Sequence, residues 1–254
     1  MDSEDLSYVE KDGCSWLTMN RPEVKNALSK QMFRGLAISI TRASKSKSVR
    51  SVVITGAGDS FSAGLDIKQV ASFASKNEAR NFVYKLVKPF WDQLLRCDKP
   101  VLSVVNGPAY GAGAEIALAS DIVIASSRSK FAFSGGRVGA LCCVSAVIGP
   151  MLMSGRRVME MNLTGNPLSA DEAREAGLVT RVVPQGMVMD TVTRVLDDLD
   201  KVSPTSNSSF KRIWRGTIPP MALELAYREL LRTITSPDFK RGAAAFAAKE
   251  TPKY

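Results

Sequence analysis

Between Leu6 and Met19, polar and apolar residues alternate on either side of Asp12-Gly13, which predicts two short strands joined by a tight turn. Asn20-Arg21-Pro22 ends the second strand. Over residues 26–43 the period lengthens, with Leu28, Met32, Leu36 and Ile40 recurring at helical spacing. Residues 49–56, V-R-S-V-V-I-T-G, run apolar into a glycine, as a parallel strand buried on both faces does. A helix is predicted over 77–97, with Phe82, Leu86, Phe90 and Leu94 on one face. A second buried strand, K-P-V-L-S-V-V-N-G, spans 99–107. A helix then starts near Ala112 and a third strand covers 120–126. Residues 168–183 predict a helix ending at Gly177, then a strand; Ser169 stands three residues before Glu172, the spacing of a capping box. From about 187 the pattern is helical, broken at Pro204, Pro219, Pro220 and Pro237. The chain shows no tandem repeat and no low-complexity linker.

Strand, loop, helix, strand in that order implies right-handed crossovers, a parallel sheet and an α/β fold. In such sheets ligands bind at the carboxyl edge. Two loops reach that edge: F-S-A-G-L-D (61–66) and G-P-A-Y-G-A-G-A-E (107–115). Both are small enough for a ligand to approach the main chain, and both lead toward a helix start, where N–H groups lack partners. One donor from each would make an oxyanion hole, and losing a donor from such a hole costs roughly 3–4 kcal/mol of barrier. Either loop alone reads as architecture. The second lacks the P-loop pattern and matches G-x-G-x-x-G poorly. What favours catalysis is the pair of loops together with one acid, Glu115, a turn into the helix.

Composition narrows the chemistry. The 254 residues are 45% hydrophobic, enough for one large domain or one domain with a helical appendage. No run of 18 apolar residues is present, so no membrane span is expected. The acidic, polar start resembles neither a secretory signal nor a transit peptide. The absence of histidine excludes Ser-His and Cys-His catalysis. It also argues against zinc, as does the absence of C-x-x-C spacing among Cys14, Cys97, Cys142 and Cys143. No metal is expected. Acid–base work near neutral pH falls to a carboxylate, Lys, Tyr or Cys. The cysteine usage suits a reducing, cytoplasmic compartment. A formal charge of +9 fits a well-solvated surface first. It also suits a polyanionic small molecule; without a ribonucleoprotein motif or zinc finger, it does not select nucleic acid.

Several longer segments agree in order and spacing with one known family. These are M-N-R-P-E-V-K-N-A-L-S, F-S-A-G-L-D-I, K-P-V-L-S-V-V-N-G-P-A-Y-G-A-G-A-E-I-A-L-A-S-D-I-V-I-A and L-T-G-N-P-L-S-A-D-E-A-R-E-A-G-L-V-T-R-V-V-P, followed by S-P-D-F-K-R-G-A-A-A-F near the end. The chain resembles the crotonase superfamily, the enoyl-CoA hydratases and isomerases. The resemblance implies a spiral of ββα repeats over 1–190 and a helical trimerisation and lid region over 191–254. It implies homotrimers, often paired into hexamers. The implied substrate is an acyl-CoA thioester, with no separate cofactor because coenzyme A is part of the substrate. By position, the N–H groups of Leu65 and Ala112 become the oxyanion donors. Val24, Ala27, Ala63, Asp66 and Ile67 would line the CoA groove, joined by Tyr110 and Gly111 from the second loop.

Glu115 matches the first of the two catalytic glutamates of family hydratases. The position of the second holds Gly135, and the alternative acid position used by some isomerases and dehalogenases holds Cys143. Glu160, the nearest downstream acid, reads as part of a structural helix. A thiolate at Cys143 could attack an acyl carbon, but with no histidine to activate it a small buried residue is the favoured reading. Arg137 flanks the expected pocket and could pair with a surface acid or a substrate carboxylate. One acid suits a double-bond shift at least as well as hydration. Three readings follow: a hydratase or isomerase with Glu115 as acid–base; a weakly active or inactive acyl-CoA binder; and, last, an RNA binder. The third would use Lys25, Lys30, Arg34, Arg42, Lys45 and Lys47, in the region where certain relatives carry a lysine-rich helix.

Overall fold

The structure is a computed structural model that describes residues 5–254; the first four residues of the acidic start lie outside them. Strands β1 (Leu6–Lys11) and β2 (Cys14–Met19) pair antiparallel through a turn whose Asp12 and Gly13 both take positive φ. Helix α1 (Lys30–Lys45) starts four residues later than the apolar spacing predicts. Lys25 and Asn26 stand in the left-handed region at φ 53° and 55°, and Ser29 caps the helix by accepting from the Met32 N–H at 3.0 Å. β3 (Ser51–Gly56) follows, then α2 (Ile67–Ala71) and α3 (Lys76–Phe82). The single helix predicted over 77–97 is interrupted by a π-helical turn, Val83–Val87, before α4 (Lys88–Arg96). Pro89 lacks an N–H and its ring crowds the preceding turn, and the wider turn accommodates both effects.

The middle of the chain runs β4 (Val101–Val105), β5 (Ala109–Tyr110), α5 (Ala112–Ala119), β6 (Ile122–Ser126) and β7 (Lys130–Ala132). After a 3₁₀ turn, Ser134–Val138, come α6 (Ser145–Leu152) and α7 (Gly155–Thr164). β8 (Leu168–Ser169) and α8 (Ala170–Glu175) follow, with both bonds of the Ser169–Glu172 capping box in place. β9 (Arg181–Val183) leads to α9 (Val188–Asp200), α10 (Pro204–Gly216), α11 (Pro220–Ile234) and α12 (Pro237–Ala248).

Six strands form one sheet in the order β1-β2-β3-β4-β6-β9, parallel throughout except at β1–β2. The alternation along β3 explains its continuous apolar run. Val52 and Ile54 enter the main core with Phe33, Leu36 and Phe90, while Val53 faces Val188, Val192 and Val195 of α9. Both faces are buried, so neither needs polar residues. A second, three-stranded sheet, β5-β7-β8, includes part of the glycine-rich segment read above as a loop. That segment becomes a short strand because Tyr110 and Gly111 bond to neighbours on two sides, at Ser62 and Ala132. Among the described residues no helix is long and apolar enough to cross a membrane.

Candidate active site

The two small loops are stitched together through their backbones. The Ser62 N–H donates to Pro108 O at 3.2 Å and the Tyr110 N–H to Ser62 O at 2.8 Å. A second bridge runs from the Leu28 N–H to Gly64 O (2.7 Å) and from the Asp66 N–H to Leu28 O (3.2 Å). These bonds use the neighbours of Leu65 and not its own N–H. Gly64, at φ +87°, fixes how closely the loops approach. A Cβ there would lie 2.6 Å from Tyr110 O and 3.1 Å from the Ala112 nitrogen. Leu65 therefore follows a residue in contact with Ala112, and Ala112 opens α5, where N–H groups lack intrahelical partners.

A cavity of about 850 Å³ lies against these loops. Its first side carries Val24, Ala27, Ala63, Leu65, Asp66 and Ile67. The second loop adds Tyr110, Gly111, Ala112 and Glu115, and the segment after β7 adds Gly135 and Cys143. The structure thus brings the expected oxyanion donors, groove residues and Glu115 to one cavity together with Gly135 and Cys143, but leaves Arg137 and Glu160 outside it. Asp66 also has structural work: it caps α2 through the Gln69 N–H at 3.2 Å and pairs with Arg21 at 3.0 Å. Lys25, Lys68 and Lys249, all exposed, stand at the mouth.

Glu115 is buried, with only 2% of its surface exposed. The N–H groups of Val144 and Ser145, at the start of α6, donate to its Oε1 at 2.7 and 2.8 Å. Burial pushes its pKa up to about 7, against the opposing pull of those bonds. A carboxyl poised there can both take and return a proton near neutral pH.

The neighbouring groups are chemically quieter. Burial, with the Glu115 charge adding to it, raises the Cys142 and Cys143 thiols well above their ordinary range. Cys143 therefore presents a protonated thiol, and not the nucleophile considered above. At Gly135 an added Cβ would lie 2.6 Å from Ala140 O and 3.0 Å from Cys142 Sγ, so this backbone has no room for an acid side chain. Arg137 is tied to Thr164 O and Asn166 Oδ1 and is not among the cavity's lining residues. Glu160 pairs with Arg157 on α7 at 2.8 Å. Of the basic residues in the early helix region, Lys30 is paired with Glu78 and Arg42 stacks on Tyr8.

Other residues of the site escaped sequence reasoning. Phe33, Val87, Trp91 and Leu230 line the cavity from α1, the π turn, α4 and α11. So do Ala140, Leu141 and Cys142. In sequence these are ordinary apolar positions, and only packing across the chain distinguishes them from core.

The fold and site together set one buried carboxyl and two close-packed backbone loops around a single apolar cavity. Residues 10–254 match the enoyl-CoA hydratase/isomerase family, and the chain belongs to that family, within the crotonase superfamily. It is similar to the 1,2-epoxyphenylacetyl-CoA isomerase of Escherichia coli (strain K12), 32% identical over 258 residues that cover 98% of this chain and 97% of the relative. The peroxisomal enoyl-CoA delta isomerase 3 of Mus musculus is 34% identical over 208 residues, 80% of this chain and 64% of its own. The crystal structure of an enoyl-CoA hydratase from Mycobacterium avium subsp. paratuberculosis K-10 superposes with a TM-score of 0.87 at 28% identity, covering 98% of both chains.

Proposed function

We propose that the protein shifts the double bond of a 3-enoyl-CoA into conjugation with the thioester. In this reading the thioester oxygen accepts from the N–H groups of Leu65 and Ala112. Glu115 removes a proton from the α carbon, and the electron pair moves into a dienolate whose charge rests on that oxygen. The same carboxyl then returns the proton at the γ carbon, giving the 2-enoyl thioester and regenerating the base. The lysines at the mouth would draw in the phosphates of coenzyme A.

The observation that carries this reading is that Glu115 is the one buried carboxylate on the cavity wall among the described residues. The other acids there, Glu23, Asp66 and Glu250, are exposed or, for Asp66, paired with Arg21. A proton shuttle needs one such group. Hydration also needs a group to position water, and a missing acid or base costs about 10²–10⁴-fold. Both places where relatives would carry a second acid are filled here by Gly135 and Cys143.

Absorbance of the conjugated enoyl thioester tests this directly. The expected result is a gain with a 3-enoyl-CoA, abolished in Glu115→Gln, and little loss with crotonyl-CoA. Loss of absorbance with crotonyl-CoA as the faster reaction would make the protein a hydratase. No change with either substrate, while CoA esters still bind, would make it an acyl-CoA binder. Self-association as a trimer belongs to the same reading. The exposed apolar side chains Phe210, Ile213 and Met221 on α10 and α11 support it, and light scattering should give three times the mass of one chain.

A further inference from the structure

We propose that the buried end of this cavity selects an uncharged hydrocarbon acyl group, and that Trp91 and Phe33 form the stop that limits its length. This rests on the reading of the cavity as an acyl-CoA site and adds to it the class of acyl group.

The cavity is strongly graded. Its mouth is exposed and carries both signs of charge: Glu23, Lys25, Lys68, Lys249 and Glu250. Phe33, Val87, Trp91 and Leu230 line the same cavity, yet each is no more than 2% exposed. Ala140, Cys142 and Cys143 line it too and are also buried. Among the described residues, Glu115 is the only charged side chain that is buried and lines the cavity. Because it is the proposed base, it cannot also serve as partner to a charged tail. The thiols are held protonated by burial, so they add no charge. The orphaned Tyr227 hydroxyl, on α11, is not on the cavity surface and offers a tail no partner. A carboxylate carried at the far end of the acyl chain would thus be stripped of water with nothing to replace it.

The stop is fixed by packing. Phe33 meets Phe82 edge-on at 5.7 Å and Phe90 at 5.5 Å between ring centroids, and Phe90 packs on Trp91 at 4.7 Å. Four rings from α1, α3 and α4 lock one another, so the two that face the cavity cannot easily swing aside.

Calorimetric titration with saturated acyl-CoAs, which have no double bond to move, tests this without turnover. From butanoyl-CoA upward, affinity should rise about fourfold per methylene, the Kd equivalent of about 0.8 kcal/mol, and then stop rising at one length. An acyl-CoA of favoured length ending in a carboxylate should bind at least a hundredfold more weakly. Trp91→Ala should move the break to longer chains. Leu230→Ala and Val87→Ala, smaller cuts in the same wall, should raise the tolerance for branched chains if Trp91→Ala does not fold. Equal affinity for every length, equal affinity for the carboxylate-ended ester, a break that stays put in a folded Trp91→Ala, or unchanged affinity for branched chains in Leu230→Ala and Val87→Ala would overturn the inference. A clear length ladder in a protein that does not isomerise would refute the proposed chemistry and leave this selectivity standing. A flat ladder in an active isomerase would do the reverse.

Discussion

Glu115 is held in a place that disfavours its charge. Burial lifts its pKa from 4.5 to about 7, although the N–H groups of Val144 and Ser145 resist the rise. A raised folded value means that the fold prefers the protonated acid. That stabilisation is whole below the unfolded value of 4.5 and is lost as pH rises through about 7. The loss is on the order of 3 kcal/mol. Glutamine keeps an acceptor oxygen for the two N–H groups and carries no charge. Glu115→Gln should therefore melt a few degrees above the wild type at pH 8 and close to it at pH 5, by scanning calorimetry. Equal melting at both values would mean that the carboxyl is not strained by burial. Wild-type turnover should climb with pH through about 7 as the carboxylate forms, while the glutamine variant loses about 10²–10⁴-fold. Gly135 makes a complementary prediction. Because a Cβ there meets Ala140 O at 2.6 Å, Gly135→Glu should not restore a second acid. It should cost about 1–3 kcal/mol in urea unfolding and bring no gain in hydration of crotonyl-CoA. A stable, faster hydratase would show instead that the 3₁₀ turn yields readily.

Helices carried the clearest message in the sequence, yet two of them show where period alone misleads. Phe82, Leu86, Phe90 and Leu94 fit an unbroken α-helix, but Leu86 is only half-buried and Val87 takes the buried place. The π turn buries Val83 and Val87 instead, so the buried face passes from Phe82 and Val83 to Val87 and leaves Leu86 at its edge. Pro89 was visible in sequence, but its effect on the turn before it was not, because a proline near a helix start is equally compatible with a clean break. At α1 the apolar period ran back to Leu28, whereas the helix begins after Ser29. Asn26 decides this: its side chain accepts from the Arg21 N–H at 2.9 Å and donates to Ala57 O and Ser60 O. These partners are up to 34 residues away, so local propensity could not reveal them. Ser29 then carries the start of α1, accepting from Met32 and donating to Asp5 Oδ2 at 2.7 Å. Ser29→Ala should cost about 1–2 kcal/mol in chemical denaturation, with Ser29→Thr recovering most of it. No loss in the alanine variant would mean that packing alone sets this end of α1.

Across the whole molecule, the legible part of the site is the two glycine-bearing loops and the one acid, Glu115, that follows the second of them. Glycines at fixed spacing limit how two loops can meet, and that constraint is local in sequence. The apolar wall of the cavity is different, because Phe33 and Leu230 belong to one surface only after α1 and α11 have packed. The same distance separates the charges that hold α10. Lys211 is buried, bonded to Lys99 O and to the Asp121 carboxylate, and Asp121 Oδ2 also accepts from the Val101 N–H at 2.6 Å. Arg215 reaches Cys97 O beside them. One carboxylate thereby joins the start of β4, the approach to β6 and the middle of α10. In sequence Lys211 and Arg215 are two more basic residues of a chain with a formal charge of +9, and nothing local marks either as enclosed. Removing Asp121 leaves the Lys211 ammonium enclosed without a counter-charge. A fully enclosed pair would lose about 3–5 kcal/mol on such a change. Here the Asp121 side chain is 30% exposed and water already screens it, so about 2 kcal/mol is expected for Asp121→Ala. Adding Lys211→Met should return part of that loss, because no orphaned charge remains. Urea unfolding of the two single variants and the double variant measures the coupling. Strictly additive losses would mean that Lys211 reaches solvent when its partner is gone, and that α10 is held by its apolar contacts alone.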